Sequence, residues 1–357
     1  MSGFLSKKLL YGLLVIAGVV TVVFFLFNIL PGDPARMMLG QRADVSSIEN
    51  INRELGRDKS LGVQFALYVN DLSPLSFHSQ SDPTSPWNAS VEKYGNYATL
   101  IATDHLAVIL KVPYLRRSYQ TKQLVSEVVA DALPGTIILA VAALAFAAIF
   151  GIALGVLAAL RKNKITDHLV SMLAVLGMAV PSFFAGIIIA WVFGFVLADI
   201  TGFNMTGSLY SIDPFDGFVL ELKNLVLPAF TLGIRPLSVI VQLTRSSMLD
   251  VLSQDYIRTA KAKGLSKQVT VFKHALRNAL NPVLTAVSGW FGSLLAGAVF
   301  IEYIFGWKGI GKVTVDSLER YDFPVVMGAV LVVSIFFVII NIIVDVLYGM
   351  LDPRIRI

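Results

Sequence analysis

Residues 245–282 read RSSMLDVLSQDYIRTAKAKGLSKQVTVFKHALRNALNP, and they interrupt a chain otherwise dominated by long apolar runs. Arg245, Arg258, Lys261, Lys263, Lys267, Lys273 and Arg277 stand here against only Asp250 and Asp255. No uncharged run in the stretch approaches the roughly 20 residues a helix needs to cross a bilayer. It therefore belongs outside the hydrocarbon, and its excess of cations carries information about sidedness. Locally it reads as two helices and a break. Ser253 is placed to cap a helix beginning at Gln254, with Asp255 in its first turn. Gly264 is placed to end that helix in the left-handed conformation, and Ser266 to cap the next. Val269, Phe272, Leu276 and Leu280 then fall on one face. On this pattern alone, a basic amphipathic pair resting on anionic lipid is as good a reading as a protein-docking element.

Working outward, the chain of 357 residues is 55% hydrophobic and only 15% charged. A soluble domain usually carries about 25% charged residues. The deficit is concentrated in six runs. Leu9–Leu30 follows Lys7 and Lys8 and is too long for a signal-peptide core, with no small-x-small cleavage site after it. Pro134–Leu160 and Leu169–Ala198 are uncharged, the latter with Pro181 near its middle as a kink. Leu225–Thr244 carries Arg235, Asn281–Phe305 carries Glu302, and Val325–Leu351 carries Asp345. Six helical spans put both termini on one side. The basic loops fix that side as cytoplasmic: Arg161, Lys162 and Lys164, then 245–280, then Arg354 and Arg356. The fold expected is an all-α integral membrane protein with a first span over 1–30 and a five-helix core over 134–351. That core includes the cytoplasmic 245–282 loop, and a short cytoplasmic tail follows over 352–357. Residues 31–133 form an enlarged outer loop or small domain. Within it, Pro31–Pro34 breaks the first helix, Ser46–Leu55 suits a short helix, 73–97 reads as loop, and Leu106–Val112 is apolar but too short to span.

The chemistry of this chain excludes much. It has no cysteine, and His78, His105, His168 and His274 are scattered, so no metal site is expected. Gly306-Trp-Lys-Gly-Ile-Gly311-Lys312 follows a phosphate loop until Val313 stands where Ser or Thr would ligate magnesium. No strand precedes it and the topology puts it outside, so it reads as a glycine-rich turn. Asn88-Ala-Ser90 is a short glycosylation-type triplet of the kind that arises by chance. Within the spans, Arg235 precedes Pro236 in an environment where a charge costs about 2.5–3.5 kcal/mol. It either lines a watery path or pairs with a protein neighbour. Asn341 and Asp345 share a helix face and read as buried against a neighbour. Gly151-xxx-Gly155 and Ser293-xxx-Gly297 permit close helix approach.

Tyr256-Ile-Arg-Thr-Ala-Lys-Ala-Lys-Gly264, followed by His274-Ala-Leu-Arg-Asn-Ala-Leu-Asn-Pro282, resembles the "EAA" loop of bacterial ABC importer permeases, and more narrowly the B-type permease of dipeptide and oligopeptide importers. Leu30-Pro-Gly-Asp-Pro-Ala-Arg36, Leu133-Pro-Gly-Thr136, Leu243-Thr-Arg-Ser-Ser-Met248 and the ending Leu351-Asp-Pro-Arg-Ile-Arg356 are similar to the same subfamily. Aligned by Gly264, the Glu-Ala-Ala positions of the broad motif fall on Arg258, Thr259 and Ala260, so only the second alanine and the glycine are kept. The motif's later Leu-Pro falls on Leu276 and Arg277. Residues 73–113 look like an insertion on which the family is silent.

The resemblance implies a type I importer permease architecture in the bacterial inner membrane. Tyr256, Arg258, Thr259, Ala260, Lys261, Lys263, Gly264 and His274 would then form the coupling loop seated on a cytoplasmic ATPase. The implied partners are a homologous C-type permease, two ABC ATPase subunits, an extracytoplasmic peptide-binding protein and the surrounding lipid, with no nucleic acid. ATP and magnesium would be held by the ATPases, with no cofactor on this chain and no catalytic residue in it. The implied activity is import of di- or oligopeptides by alternating access, along a path touched by Pro181, Arg235 and Pro236. Nickel or glutathione import is the nearest alternative. An autonomous secondary transporter or channel is the alternative of another class, although the intramembrane ionisable relays it needs are few here.

Overall fold

The structure is a computed structural model of the chain, and it describes residues 2–29, 58–80, 87–213 and 217–351. The Pro31–Pro34 break, the short helix expected at Ser46–Leu55, the Leu30–Arg36 match and the 352–357 tail lie outside the described residues. In chain order the principal elements are α1 (Ser2–Ile29), α2 (Leu61–Leu72), β1 (Leu75–Ser79), β2 (Ala98–Ala102), β3 (Leu106–Leu110), α3 (Val125–Leu160), α4 (Ile165–Ala179), α5 (Ser182–Trp191), β4 (Tyr210–Asp213), β5 (Gly217–Leu220), α6 (Lys223–Leu252), α7 (Asp255–Ala262), α8 (Arg277–Ile304), α9 (Ile310–Glu319) and α10 (Phe323–Leu351). A π-helical segment, Val192–Val196, follows α5, and another, Val269–Leu276, leads into α8.

Among the described residues, five helices are long and apolar enough to cross a membrane, or six if α4 and the Ser182–Val196 segment are counted together as one span. That pair is bent by 109°, far beyond the kink expected at Pro181. The cause is local. Proline disfavours helical geometry in the residue before it, and Val180 is extended at φ −78°, ψ 128°. Two expected boundaries also move. α3 starts at Val125 and continues through Pro134, because Val125, Val129 and Ala132 are buried and their packing carries the helix past one missing hydrogen bond. The 245–282 loop is shorter than expected: 245–252 completes α6, and from Val269 the chain is helical again.

Two compact units divide the chain. One comprises 1–9, 132–312 and 335–357; the other comprises 10–131 and 313–334. In the first, Leu139, Ala140 and Ala143 of α3 meet Leu227, Ala229 and Leu232 of α6 and Leu294, Leu295, Ala298 and Ile301 of α8. Phe305 and Trp307 close this core, and the Trp307 indole N–H donates to the Gly135 carbonyl at 2.9 Å. The Gly151-xxx-Gly155 pair is packing, as read: a Cβ at Gly155 would stand 2.5 Å from Thr244 Cβ, and one at Gly151 2.8 Å from Ile240 Cγ2. Ser293-xxx-Gly297 is different. Both residues are exposed, and nothing lies within 4 Å of a Cβ placed on Gly297. Asp345 pairs with Lys8 at 2.6 Å.

The second unit adds strands to the helical frame. β1, β3 and β2 form an antiparallel sheet in that order, with Phe77 opposite Val108, so the segment read as loop holds β1 and a helical turn at Val91–Tyr94. The strand hid because its pattern is inverted. Ser76 and His78 point inward and hydrogen-bond each other at 2.9 Å, while Leu75 and Phe77 face outward. Beneath the sheet, buried Asp71 accepts from the Tyr94 hydroxyl at 2.7 Å and pairs with Lys93 at 2.9 Å. Ser90 caps the 91–94 turn. A separate core joins Val23 and Phe24 of α1, Tyr68 of α2, and Met327 and Leu331 of α10. A two-stranded hairpin, β4–β5, belongs to the first unit.

Candidate functional site

The stretch quoted at the outset folds as a short helix clamped by its inner face. α7 has two apolar residues that turn inward, Ile257 and Ala260. Ile257 is fully buried in a cluster with Val156 and Ala159 of α3, Met248 of α6, and Val271, Ala275 and Ala279. Tyr256, Arg258, Thr259, Lys261 and Lys263 remain exposed. Of the eight residues assigned to the loop from sequence, Ala260 is thus an anchor and these five form an outward surface. His274 is half-buried, and its carbonyl accepts from Asn278.

The turn after α7 is built as expected at Gly264 and differently at Ser253. Gly264 adopts φ +79°. Its N–H donates to the Lys261 carbonyl at 3.0 Å, and the Leu265 N–H reaches the Ala260 carbonyl at 3.3 Å. That pair of bonds is the Schellman arrangement, which satisfies carbonyls a helix end leaves free. Ser253 does not cap α7: its hydroxyl donates back to the Asp250 carbonyl at 2.7 Å, and Gln254 takes the capping position. Ser266 does cap the next helix, accepting from the Val269 N–H at 3.4 Å. The face predicted there is displaced. Val271, Ala275 and Ala279 are buried, whereas Val269 and Phe272 are exposed. The observed face keeps a spacing of four but is rotated relative to the predicted one, with Leu276 and Leu280 at its partly buried margin.

Two polar contacts that sequence reasoning missed hold the loop in place. Asp167, in the first turn of α4, takes both Nε (2.5 Å) and Nη2 (2.8 Å) of Arg245 in a bidentate pair, and also accepts from the Asn163 N–H at 2.9 Å. The signal for it was a lone carboxylate following the basic run Arg161, Lys162 and Lys164. The Asn278 side chain donates to the Tyr256 hydroxyl at 2.9 Å, tying α7 to the start of α8. Arg258 has only an exposed contact of 3.6 Å with Asp255.

The residues assigned to a path lie elsewhere in the same unit. Pro181 opens α5 at the 109° bend. Pro236 is buried within a continuous α6, and Arg235 beside it is exposed. Gln242 and Ser246 follow Arg235 at helical spacing and are exposed as well. α8 carries a second exposed polar and small stripe: Asn281, Thr285, Gly289, Ser293 and Gly297. Lipid offers such faces no hydrogen bonds.

The glycine-rich turn at 306–312 places its amides on an internal carboxyl group. Gly311 N–H and Lys312 N–H donate to Glu302 Oε2 at 2.7 and 3.2 Å, and Ile310 N–H donates to Thr136 Oγ1 at 2.8 Å. A Cβ on Gly309 would stand 2.4 Å from the Glu302 carboxylate, which is why glycine recurs there.

Comparison with known proteins agrees with this architecture. Residues 151–357 match the family described as "Binding-protein-dependent transport system inner membrane component", and residues 1–84 match the N-terminal region of such membrane components. The chain is 37% identical to the "Di/tripeptide transport system permease protein DppB" of Pseudomonas aeruginosa, covering 100% of this chain and 99% of the relative. It is 34% identical to the "Dipeptide transport system permease protein DppB" of Alkalihalophilus pseudofirmus, with both chains wholly covered. The "Glutathione transport system permease protein GsiC" of Salmonella paratyphi A is 35% identical over 100% of this chain and 99% of that one. The chain belongs to the family of binding-protein-dependent transport system inner membrane components, as a multi-pass permease subunit of an ABC importer.

Proposed function

We propose that this permease imports di- or oligopeptides, coupled through α7 to ATPase subunits that supply the energy. The observation that carries the coupling is the geometry of α7. It is an eight-residue helix pinned by Ile257 and Ala260, bonded to α8 through Tyr256 and Asn278, with Arg258, Thr259, Lys261 and Lys263 facing outward. A partner that moves this helix moves α8 with it. The full assembly comprises this chain, a homologous C-type permease, two cytoplasmic ATPases that hold ATP and magnesium, and an extracytoplasmic peptide-binding protein. Both termini lie in the cytoplasm, as the basic loops require. The exposed polar faces of α6 and α8 line the path, and transport proceeds by alternating access.

Peptide cargo follows from the relatives described as dipeptide and di/tripeptide permeases. Glutathione is a second reading, supported by the relative of that description. The test is reconstitution of the chain with its co-expressed partners and a binding protein in liposomes. ATP-dependent uptake of a labelled dipeptide is expected. Proton- or sodium-driven uptake by this chain alone, with no ATPase co-purifying, would sink the reading; uptake of glutathione with no dipeptide uptake favours the second.

A further inference from the structure

The unexplained group in the membrane unit is Arg235. It lies about 18 Å along α6 from Lys223, at the helical rise of ~1.5 Å per residue, so it falls well inside the span. Its neighbours on the helix are locked. Gly233 abuts the Ala143 carbonyl of α3, where an added Cβ would come within 2.8 Å, and Ser238 Oγ fills the space against Gly177 of α4 at 2.4 Å from a Cβ there. Thr231, Leu232 and Pro236 are buried. The backbone under Arg235 is therefore fixed on its other sides, and its side chain is presented outward from a rigid rod.

No hydrogen bond or ion pair holds this guanidinium among the described residues. In this unit, the carboxylates of α4, α8 and α10 are engaged: Asp167 by Arg245, Glu302 by the Gly311 and Lys312 amides, Asp345 by Lys8. Asp250, on the same exposed side of α6, is fifteen residues on, about 22 Å along the axis. The polar groups sharing the face of Arg235 are Gln242 and Ser246, which offer donors and acceptors suited to peptide amides. Arg235 to Gln242 spans about 10 Å, close to the extended length of three residues. A planar guanidinium is matched to one ligand class above others, a carboxylate taken by two parallel bonds.

Building on the peptide-import reading, we propose that Arg235 is a specificity-determining residue that receives the C-terminal carboxylate of the translocated peptide, while Gln242 meets its backbone amides. The experiment uses the complete importer in liposomes, with one binding protein at a fixed saturating concentration. Uptake of a labelled dipeptide is compared with that of its C-terminally amidated twin, for wild type, R235Q and R235K. Wild type is expected to favour the free acid. R235Q should lower free-acid uptake about ten- to a hundredfold, the range expected for a lost charge-assisted bond, and leave the amide unchanged. R235K should keep the preference at reduced strength. An R235Q importer with the wild-type acid-to-amide ratio overturns the proposal. So does a variant that loses both cargoes equally along with its partner permease on purification, which would place an acidic residue of that partner against Arg235. A wild-type importer that takes up neither peptide overturns the parent reading too, and is distinguished by that.

Discussion

Gly264 permits a perturbation whose size comes almost entirely from the backbone. The residue sits at φ +79° in the Schellman turn after α7, and nothing lies within 4 Å of where a Cβ would go. Replacement by alanine therefore meets no neighbour, and its cost is the left-handed penalty alone, about 1–2 kcal/mol. Valine adds β-branching, which this region tolerates least. Asparagine visits it readily, so G264N should cost little. Two hydrogen bonds, Gly264 to Lys261 and Leu265 to Ala260, depend on the turn. Strain is thus released by unwinding the last turn of α7, next to Lys261 and Lys263, with no disturbance of the apolar core. A penalty of about 1.4 kcal/mol lowers the population of the competent turn about tenfold, and with it the apparent affinity of any partner that needs it. In proteoliposomes holding the full importer, we expect peptide uptake per ATP hydrolysed to fall in the order wild type, G264N, G264A, G264V. Membrane insertion and thermal stability should be nearly constant. A G264A importer with unimpaired coupling, or a G264N importer as impaired as G264V, would refute the role assigned to the turn.

Further outcomes follow from other contacts. E302A leaves the Gly311 and Lys312 amides buried without an acceptor and should destabilise the detergent-purified protein by about 2–4 kcal/mol; E302Q, which keeps an acceptor oxygen, should cost less, as the shift in Tm will show. D167N strips Arg245 of its bidentate partner and should cost about 2–3 kcal/mol, below the usual figure of about 3–5 for a buried pair because Arg245 is 30% exposed; a double-mutant cycle with R245Q should return a coupling energy above 1 kcal/mol. Burial holds Lys111 down at about 8 against its ordinary 10.5, so between those values the unfolded chain binds a proton the folded chain does not. The penalty is complete below pH 8, and stability of the β1–β3–β2 sheet should rise as pH increases from 8 to 10.5, a slope that amide exchange should find abolished in K111M. R235Q should erase the preference for free-acid peptides.

What the sequence disclosed and what it concealed divide along physical lines. The spans were legible because lipid imposes length and charge limits on each run separately, and Gly264 because a left-handed helix end is a local requirement. The inverted strand was not legible. Ser76 and His78 are buried because they bond each other and the Trp87 carbonyl, a solution that alternation rules read backwards. Phe272 was misplaced because the buried face of this helix is made by Val271 and two alanines, which a count of large apolar residues passes over. The Asp167–Arg245 pair joins residues 78 positions apart, and neither announces the other. At the loop itself, the sequence marked the outward residues Tyr256, Arg258, Lys261 and Lys263, but missed Ile257. A single isoleucine within a basic stretch carries little periodicity, yet it is the residue that fixes which way the others point.

The near-match to a phosphate loop and α7 sit at the two ends of one element. From Val269 to Ile304 the chain is helical without interruption, 36 residues, about 50 Å at the ordinary rise. At one end, Asn278 holds Tyr256 and the buried Val271, Ala275 and Ala279 hold Ile257, so α7 is fastened to this rod by both a polar and an apolar contact. At the other end, Glu302 holds the amides that begin α9, and Trp307 reaches α3 through Gly135. Glycine is required at both 309 and 311, because a Cβ at 309 would collide with the Glu302 carboxylate and one at 311 with the Val299 backbone. The turn resembles an anion-binding loop because its amides converge on one acceptor, a carboxyl oxygen supplied by the chain itself. On the proposed reading, a displacement of α7 by an ATPase has no slack to absorb it along this rod. The outer turn at 306–312 is then the place where cytoplasmic motion becomes motion of the opposite face. Weakening either fastening, by Y256F or by E302A, should impair transport more than the stability loss alone accounts for.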